Sequence, residues 1–126
     1  MKKVYYGQAV YDDKEIKASL NVLKNQKFNL IDSFNVKKVE RKVAKIFGKK
    51  FGLMVNSGSS ANLLALSSFN FPKGSEIITP TLTFSTTVAP IYQLGLVPHF
   101  IGVKENKFVT DPDQIEKCIN SKTVAV

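Results

Sequence analysis

Residues 51–66 read FGLMVNSGSSANLLAL, and they change character within a few positions. Phe51-Gly52-Leu53-Met54-Val55 is a nearly continuous apolar run, as expected of a strand buried on both faces of a sheet. It passes into Asn56-Ser57-Gly58-Ser59-Ser60, and Ala61, Leu63, Leu64, Ala65 and Leu66 then continue as a helix. A strand feeding a helix through a small polar turn is the first half of a βαβ unit.

Downstream the alternation repeats. Pro72-Lys73-Gly74-Ser75 is a turn, and Glu76-Ile77-Ile78-Thr79 is a strand that stops at Pro80. Residues 85–94 read as a helix ending at Gly95, with a kink expected at Pro90. Val97–Val103 is a third strand. Asp111-Pro112-Asp113-Gln114 opens another helix, with Asp111 as N-cap, proline at N1 and Gln114 completing a capping box. Cys118 follows Ile115 by three and is expected on the core side. Thr123–Val126 is a fourth strand. Strands alternating with helices imply a mainly parallel sheet with helices on both faces, an α/β fold. The sequence stops within a strand, so a fragment is expected.

Upstream the texture is helical. Residues 12–25 place Ile16, Leu20 and Leu23 on one face, with acids near the start. After a connection over 26–34, a second helix is expected at 36–47. Asn35 is its N-cap, Val36, Val39, Val43, Ala44 and Phe47 form its buried stripe, and Gly48 is its stop. The expected division is a basic helical segment over 1–50 and an incomplete α/β domain over 51–126.

Charge follows the same division. The first 50 residues hold 13 Lys/Arg against 5 Asp/Glu, and the rest hold 5 against 5, so the net +8 sits entirely in the helical segment. A basic block can mark a nucleic-acid surface. The alternative is a solvated, lysine-coated pair of helices. Arg41 is the sole arginine, whereas base-edge readout favours arginine, and no basic strand is studded with aromatics to stack bases. The expectation is therefore no nucleic-acid partner. No apolar run nears the roughly 20 residues that span a bilayer, and no h-region follows Met1-Lys2-Lys3. One cysteine and one histidine exclude a zinc site built from those ligands. A cytoplasmic, metal-free domain with no membrane partner is expected.

Two segments carry candidate chemistry. A helix opening at Ser57-Gly58-Ser59-Ser60 offers unpaired N–H groups and a partial positive charge, which suits a phosphate. Gly58 permits close approach, and the serine hydroxyls add hydrogen bonds. The same residues also suit a plain serine-rich helix cap. The turn is neither a Walker loop nor G-x-G-x-x-G. The second segment, Thr79–Thr87 (TPTLTFSTT), follows a strand, where ligands gather in open parallel sheets. Phe84 there can stack on a flat ring or serve as a core aromatic.

In order, VNSGSSANLLAL, GSEIITPTLTFSTTVAPI, GLVPHFIGV and DPDQIEKCINSKTVAV resemble the DegT/DnrJ/StrS family of pyridoxal-phosphate-dependent sugar aminotransferases, and the resemblance runs from Tyr6 to Val126. It implies the large domain of the aspartate-aminotransferase type, so that residues 51–126 are part of a cofactor-binding domain. It implies pyridoxal 5'-phosphate, or its pyridoxamine form, as cofactor. The family's Ser-Gly-Thr turn matches Ser57-Gly58-Ser59, with Ser60 beside them, as the phosphate holder. Its ring-stacking aromatic matches Phe84. It implies a homodimer acting on a nucleotide-linked keto-sugar with an amino-acid donor, in surface-polysaccharide or deoxyamino-sugar biosynthesis.

Three positions depart from the family pattern. Ser33-Phe34 stands where Gly-Pro is usual, Gly102 where an acid usually follows the third strand, and His99 where the side chain is normally aliphatic. The family's Schiff-base lysine and the acid on its pyridinium nitrogen lie farther along such chains, so no catalytic residue is assigned here and these 126 residues alone are expected to be inactive. Amino transfer is the first functional reading. A neighbouring branch dehydrates such sugars at C-3, and NSGSSANL with TTVAPI looks close to it. A non-catalytic basic binding module is the third reading.

Overall fold

A computed structural model describes residues 3–126, and divides them between Met54 and Val55 into two compact units. The first holds α1 (Asp13–Asn25) and α2 (Phe34–Ile46). The second holds α3 (Gly58–Ser68), β1 (Glu76–Pro80), α4 (Ser85–Gln93), β2 (Val97–Ile101), α5 (Pro112–Cys118) and β3 (Thr123–Ala125).

In the first unit, α1 starts with a complete capping box. The Asp12 carboxylate accepts from Lys14 N–H at 2.7 Å, and the Glu15 carboxylate accepts from Asp12 N–H at 2.8 Å. The N-cap of α2 is Ser33 and not Asn35, so the helix begins two residues earlier than expected. Ser33 is buried, and its carbonyl accepts from Lys37 N–H at 3.1 Å. Gly48 stops the helix with φ 61°, a left-handed turn that glycine enters without strain. Of the expected stripe only Ala44 is buried; Val39 and Val43 are more than two-fifths exposed.

Residues 51–55 form no strand. A strand needs a ladder partner for its N–H and C=O groups, and none pairs with this segment among the described residues. It lies instead along α2. Met54 N–H donates to Glu40 Oε1 at 2.9 Å, and Gly52 approaches the Glu40 carbonyl so closely that a Cβ there would stand 2.7 Å from the oxygen.

The second unit is built on a three-stranded, wholly parallel sheet in the order β2-β1-β3. β1 is central, and Ile77, Ile78 and Thr79 are buried there, as its apolar run requires. Ile77 packs with Ile91 of α4 and with Leu96, and Leu66 of α3 joins that cluster, so α3 and α4 share one face of the sheet. The strands expected at 97–103 and 123–126 end earlier, at Ile101 and Ala125. α4 runs through Pro90, which is buried. Asp111 caps α5 with Pro112 at N1, but the expected capping box does not form among the described residues: the Asp111 carboxylate accepts from Asp113 N–H at N2, and the Gln114 N–H donates to the Asp111 carbonyl. Cys118, the last residue of α5, is half-buried.

Candidate functional site

Ser57 is the N-cap of α3 because its extended backbone (φ −160°, ψ 160°) turns its hydroxyl back over the first turn. Ser57 Oγ accepts from Ser60 N–H at 3.1 Å, and its carbonyl accepts from Ala61 N–H at 3.0 Å. The two serine hydroxyls are 3.1 Å apart. Those bonds satisfy the second half of the helix opening. The N–H groups of Gly58 and Ser59 have no partner among the described residues, so two donors at the positive end of α3 are free for an anion.

Gly58 leaves space as well as donors. A Cβ built on it meets no atom within 4 Å, so the volume over this turn is open. The residues present therefore fit a phosphate: free backbone donors, adjacent hydroxyls and room for close approach.

Phe84 is the N-cap of α4, four residues beyond the carboxyl end of β1. It is 67% exposed and lies outside the Ile77–Ile91–Leu96 cluster. The openings of α3 and α4 both lie toward that end of the sheet. Asn62 at the start of the second turn of α3, Thr87 in the first turn of α4, and Thr79 and Pro80 of β1 line one 450 Å³ cavity. That cavity is mostly apolar and lies between the helices and the sheet. None of Ser57, Gly58, Ser59, Ser60 or Phe84 lines it, so the cavity does not bring the two candidate segments together. Thr79 Oγ1, buried at its wall, has no hydrogen-bond partner among the described residues.

The other polar features lie elsewhere in this unit. Lys104 and Asp111 form a 2.8 Å ion pair across the loop after β2. The hydrogen bond from Lys104 holds the Asp111 carboxyl below its ordinary range. His99 of β2 is half-buried, with Nδ1 3.4 Å from Glu76 Oε2, and Asn120 Nδ2 donates to the same oxygen at 2.8 Å. Asn120 and Glu76 escape sequence reading because 44 residues separate them. Lys73 lies in the exposed turn as expected, its stem packed against Gly95. No group of three or more metal-ligating side chains occurs among the described residues. No described helix is long and apolar enough to cross a membrane.

With the geometry in place, the likeness to known proteins is specific. The sequence profile of the DegT/DnrJ/EryC1/StrS aminotransferase family matches residues 10–126. A GDP-4-keto-6-deoxy-D-mannose 3-dehydratase of Yersinia pseudotuberculosis is 34% identical over 95% of this chain, which spans 32% of that relative. A dTDP-4-dehydro-2,6-dideoxy-D-glucose 3-dehydratase of Saccharopolyspora spinosa is 41% identical over 73% of this chain and 22% of its own length. The solved Escherichia coli GDP-4-keto-6-deoxy-D-mannose-3-dehydratase, with bound hydrated PLP, superposes with a TM-score of 0.81 at 34% identity, covering 92% of this chain and 31% of that one. The chain thus spans about a third of the length of the relative from Yersinia, and its α/β architecture is that of the pyridoxal-phosphate aminotransferase fold. It belongs to the DegT/DnrJ/EryC1/StrS aminotransferase family, whose cofactor is pyridoxal 5'-phosphate.

Proposed function

We propose that this chain is the N-terminal, phosphate-holding part of a pyridoxal-phosphate enzyme acting on a nucleotide-linked keto-sugar. The observation that carries the reading is the opening of α3, with free N–H groups on Gly58 and Ser59 beneath open space. In this reading those two donors and the hydroxyls of Ser57, Ser59 and Ser60 hold the cofactor phosphate. Phe84 covers one face of the pyridine ring and keeps water from it. The cofactor, when bound, supplies an electron sink for bond breaking next to the sugar carbonyl. Residues 1–50 are the basic helical segment and 51–126 an incomplete cofactor-binding domain. We assign none of the lysines here to Schiff-base chemistry; that lysine belongs to another part of the protein. The active unit is a cytoplasmic homodimer.

Amino transfer from an amino-acid donor such as glutamate is the reading the family description supports. C-3 dehydration is the second, favoured by the names of the relatives from Yersinia and Saccharopolyspora. Incubating the intact protein with cofactor, glutamate and a GDP- or dTDP-linked 4-keto-6-deoxy sugar separates them by product. Amino transfer leaves an amine on the sugar, and dehydration leaves a ketone lacking its C-3 hydroxyl. No cofactor binding and neither product would reject the proposal.

Phe84→Ala is expected to weaken cofactor binding about three- to tenfold, the scale of one aromatic stacking contact. Because the side chain is exposed and outside the core, the melting temperature without cofactor should not change. Absorbance titration checks the first and thermal denaturation the second. Unchanged affinity would remove Phe84 from the site.

A further inference from the structure

β3 (Thr123–Ala125) pairs with β1 in parallel. Its pairing with β1 is irregular: Glu76 pairs with Thr123 and Ile77 with Ala125, so Val124 is an extra residue in the ladder. The irregularity lets two consecutive residues, Val124 and Ala125, both pack on the Ile77 cluster. A regular strand would send one of them to the opposite face. A slip of one residue would exchange the faces of the whole strand, so something must hold this register.

The hydrogen bonds at that point converge on two side chains. Asn120 Nδ2 donates to Glu76 Oε2 at 2.8 Å, and Asn120 Oδ1 accepts from Lys122 N–H at 2.8 Å. Asn120 N–H donates to Thr123 Oγ1 at 3.0 Å, and Glu76 N–H donates to the Lys122 carbonyl at 2.8 Å. Both ends of the Asn120 amide are therefore used, one on the central strand and one on the turn entering β3. His99 approaches the same carboxylate oxygen from β2.

We propose that the Glu76–Asn120 pair is a clasp that selects the irregular register of β3 on β1, at the amino end of the sheet. The carboxylate is the form that accepts from Asn120, and Glu76 is held below the ordinary carboxyl range by that hydrogen bond first, then by His99, and by the charges of His99 and Lys122. The clasp is thus complete above the ordinary glutamate range and is lost as pH falls through the lowered value. The charged residues of α5, which packs on β2, are Asp113, Glu116 and Lys117; α3 and α4 carry no charged side chain.

Reversing donor and acceptor tests the clasp in the intact protein. Asn120→Asp sets a second carboxylate against that of Glu76 and should speed hydrogen exchange of the Thr123–Ala125 amides about tenfold or more at neutral pH. Adding Glu76→Gln restores a donor–acceptor pair with the roles exchanged, because the glutamine amide then donates to the carboxylate introduced at position 120. Exchange should return to within about threefold of the parent. Parent-like exchange in Asn120→Asp, or a double variant no slower than that single one, would overturn the proposal. If the single variant fails to fold, the double variant decides: folded with slow β3 exchange supports the clasp, and unfolded or fast-exchanging overturns it.

Discussion

Replacing Gly58 by valine should lower the affinity of the intact protein for pyridoxal phosphate about a hundredfold or more, with no loss of stability. The two halves of that expectation rest on different observations. A side chain at this position meets nothing in the protein within 4 Å, so it strains no neighbour. The backbone there is not left-handed, and valine is no worse than glycine within a helix. The same open volume, however, is where a phosphate must sit to reach the free N–H groups of Gly58 and Ser59. Hydrogen bonds to a charged group contribute about 1.5–3 kcal/mol each, so forfeiting two costs at least two orders of magnitude in binding. Absorbance titration with the cofactor measures the first half, and thermal denaturation of the apo-protein the second. A valine variant that binds as tightly as the parent would show that the phosphate is held elsewhere.

The second large effect is expected at Gly52, for the opposite reason. A Cβ there would lie 2.7 Å from the Glu40 carbonyl oxygen and 3.3 Å from its carbon, both backbone atoms of α2 that cannot rotate away. Gly52→Ala must push residues 49–54 off the helix and break the 2.9 Å bond from Met54 N–H to Glu40 Oε1. Overpacking of this kind costs about 1–3 kcal/mol. The denaturation midpoint of the intact protein should fall accordingly, and the Met54 amide should exchange faster. Equal stability of parent and variant would mean that the segment is not seated on α2.

Local chemistry makes much of this readable in the sequence. Asp12 with Glu15, Gly48, and Asp111 with Pro112 each act within one helical turn, and each marks a helix end in the fold. The opening of α3 is equally legible, because Ser57 satisfies donors only three and four residues away. Asn35 misleads because its amide suits an N-cap as well as Ser33 does, while the helix opens two residues earlier at a buried Ser33 whose side chain makes no cap hydrogen bond among the described residues. Residues 51–55 have the composition of a central strand, but a strand is a property of a pair. For Phe84 the sequence leaves ring stacking and core packing open, and cofactor titration of Phe84→Ala is the measurement that separates them. The Glu76–Asn120 bond joins positions whose proximity exists only once the sheet has formed.

The clasp and the candidate site occupy opposite ends of one short strand. Glu76 begins β1 and Pro80 ends it, a span of about 13 Å at about 3.3 Å per residue. Direct energetic coupling between side chains fades beyond about 7–10 Å. Substitutions at Glu76 or Asn120 and substitutions at Gly58 or Phe84 should therefore combine additively. Selection can then adjust the strength of the sheet and the grip on a ligand as two independent quantities, each from its own end of β1.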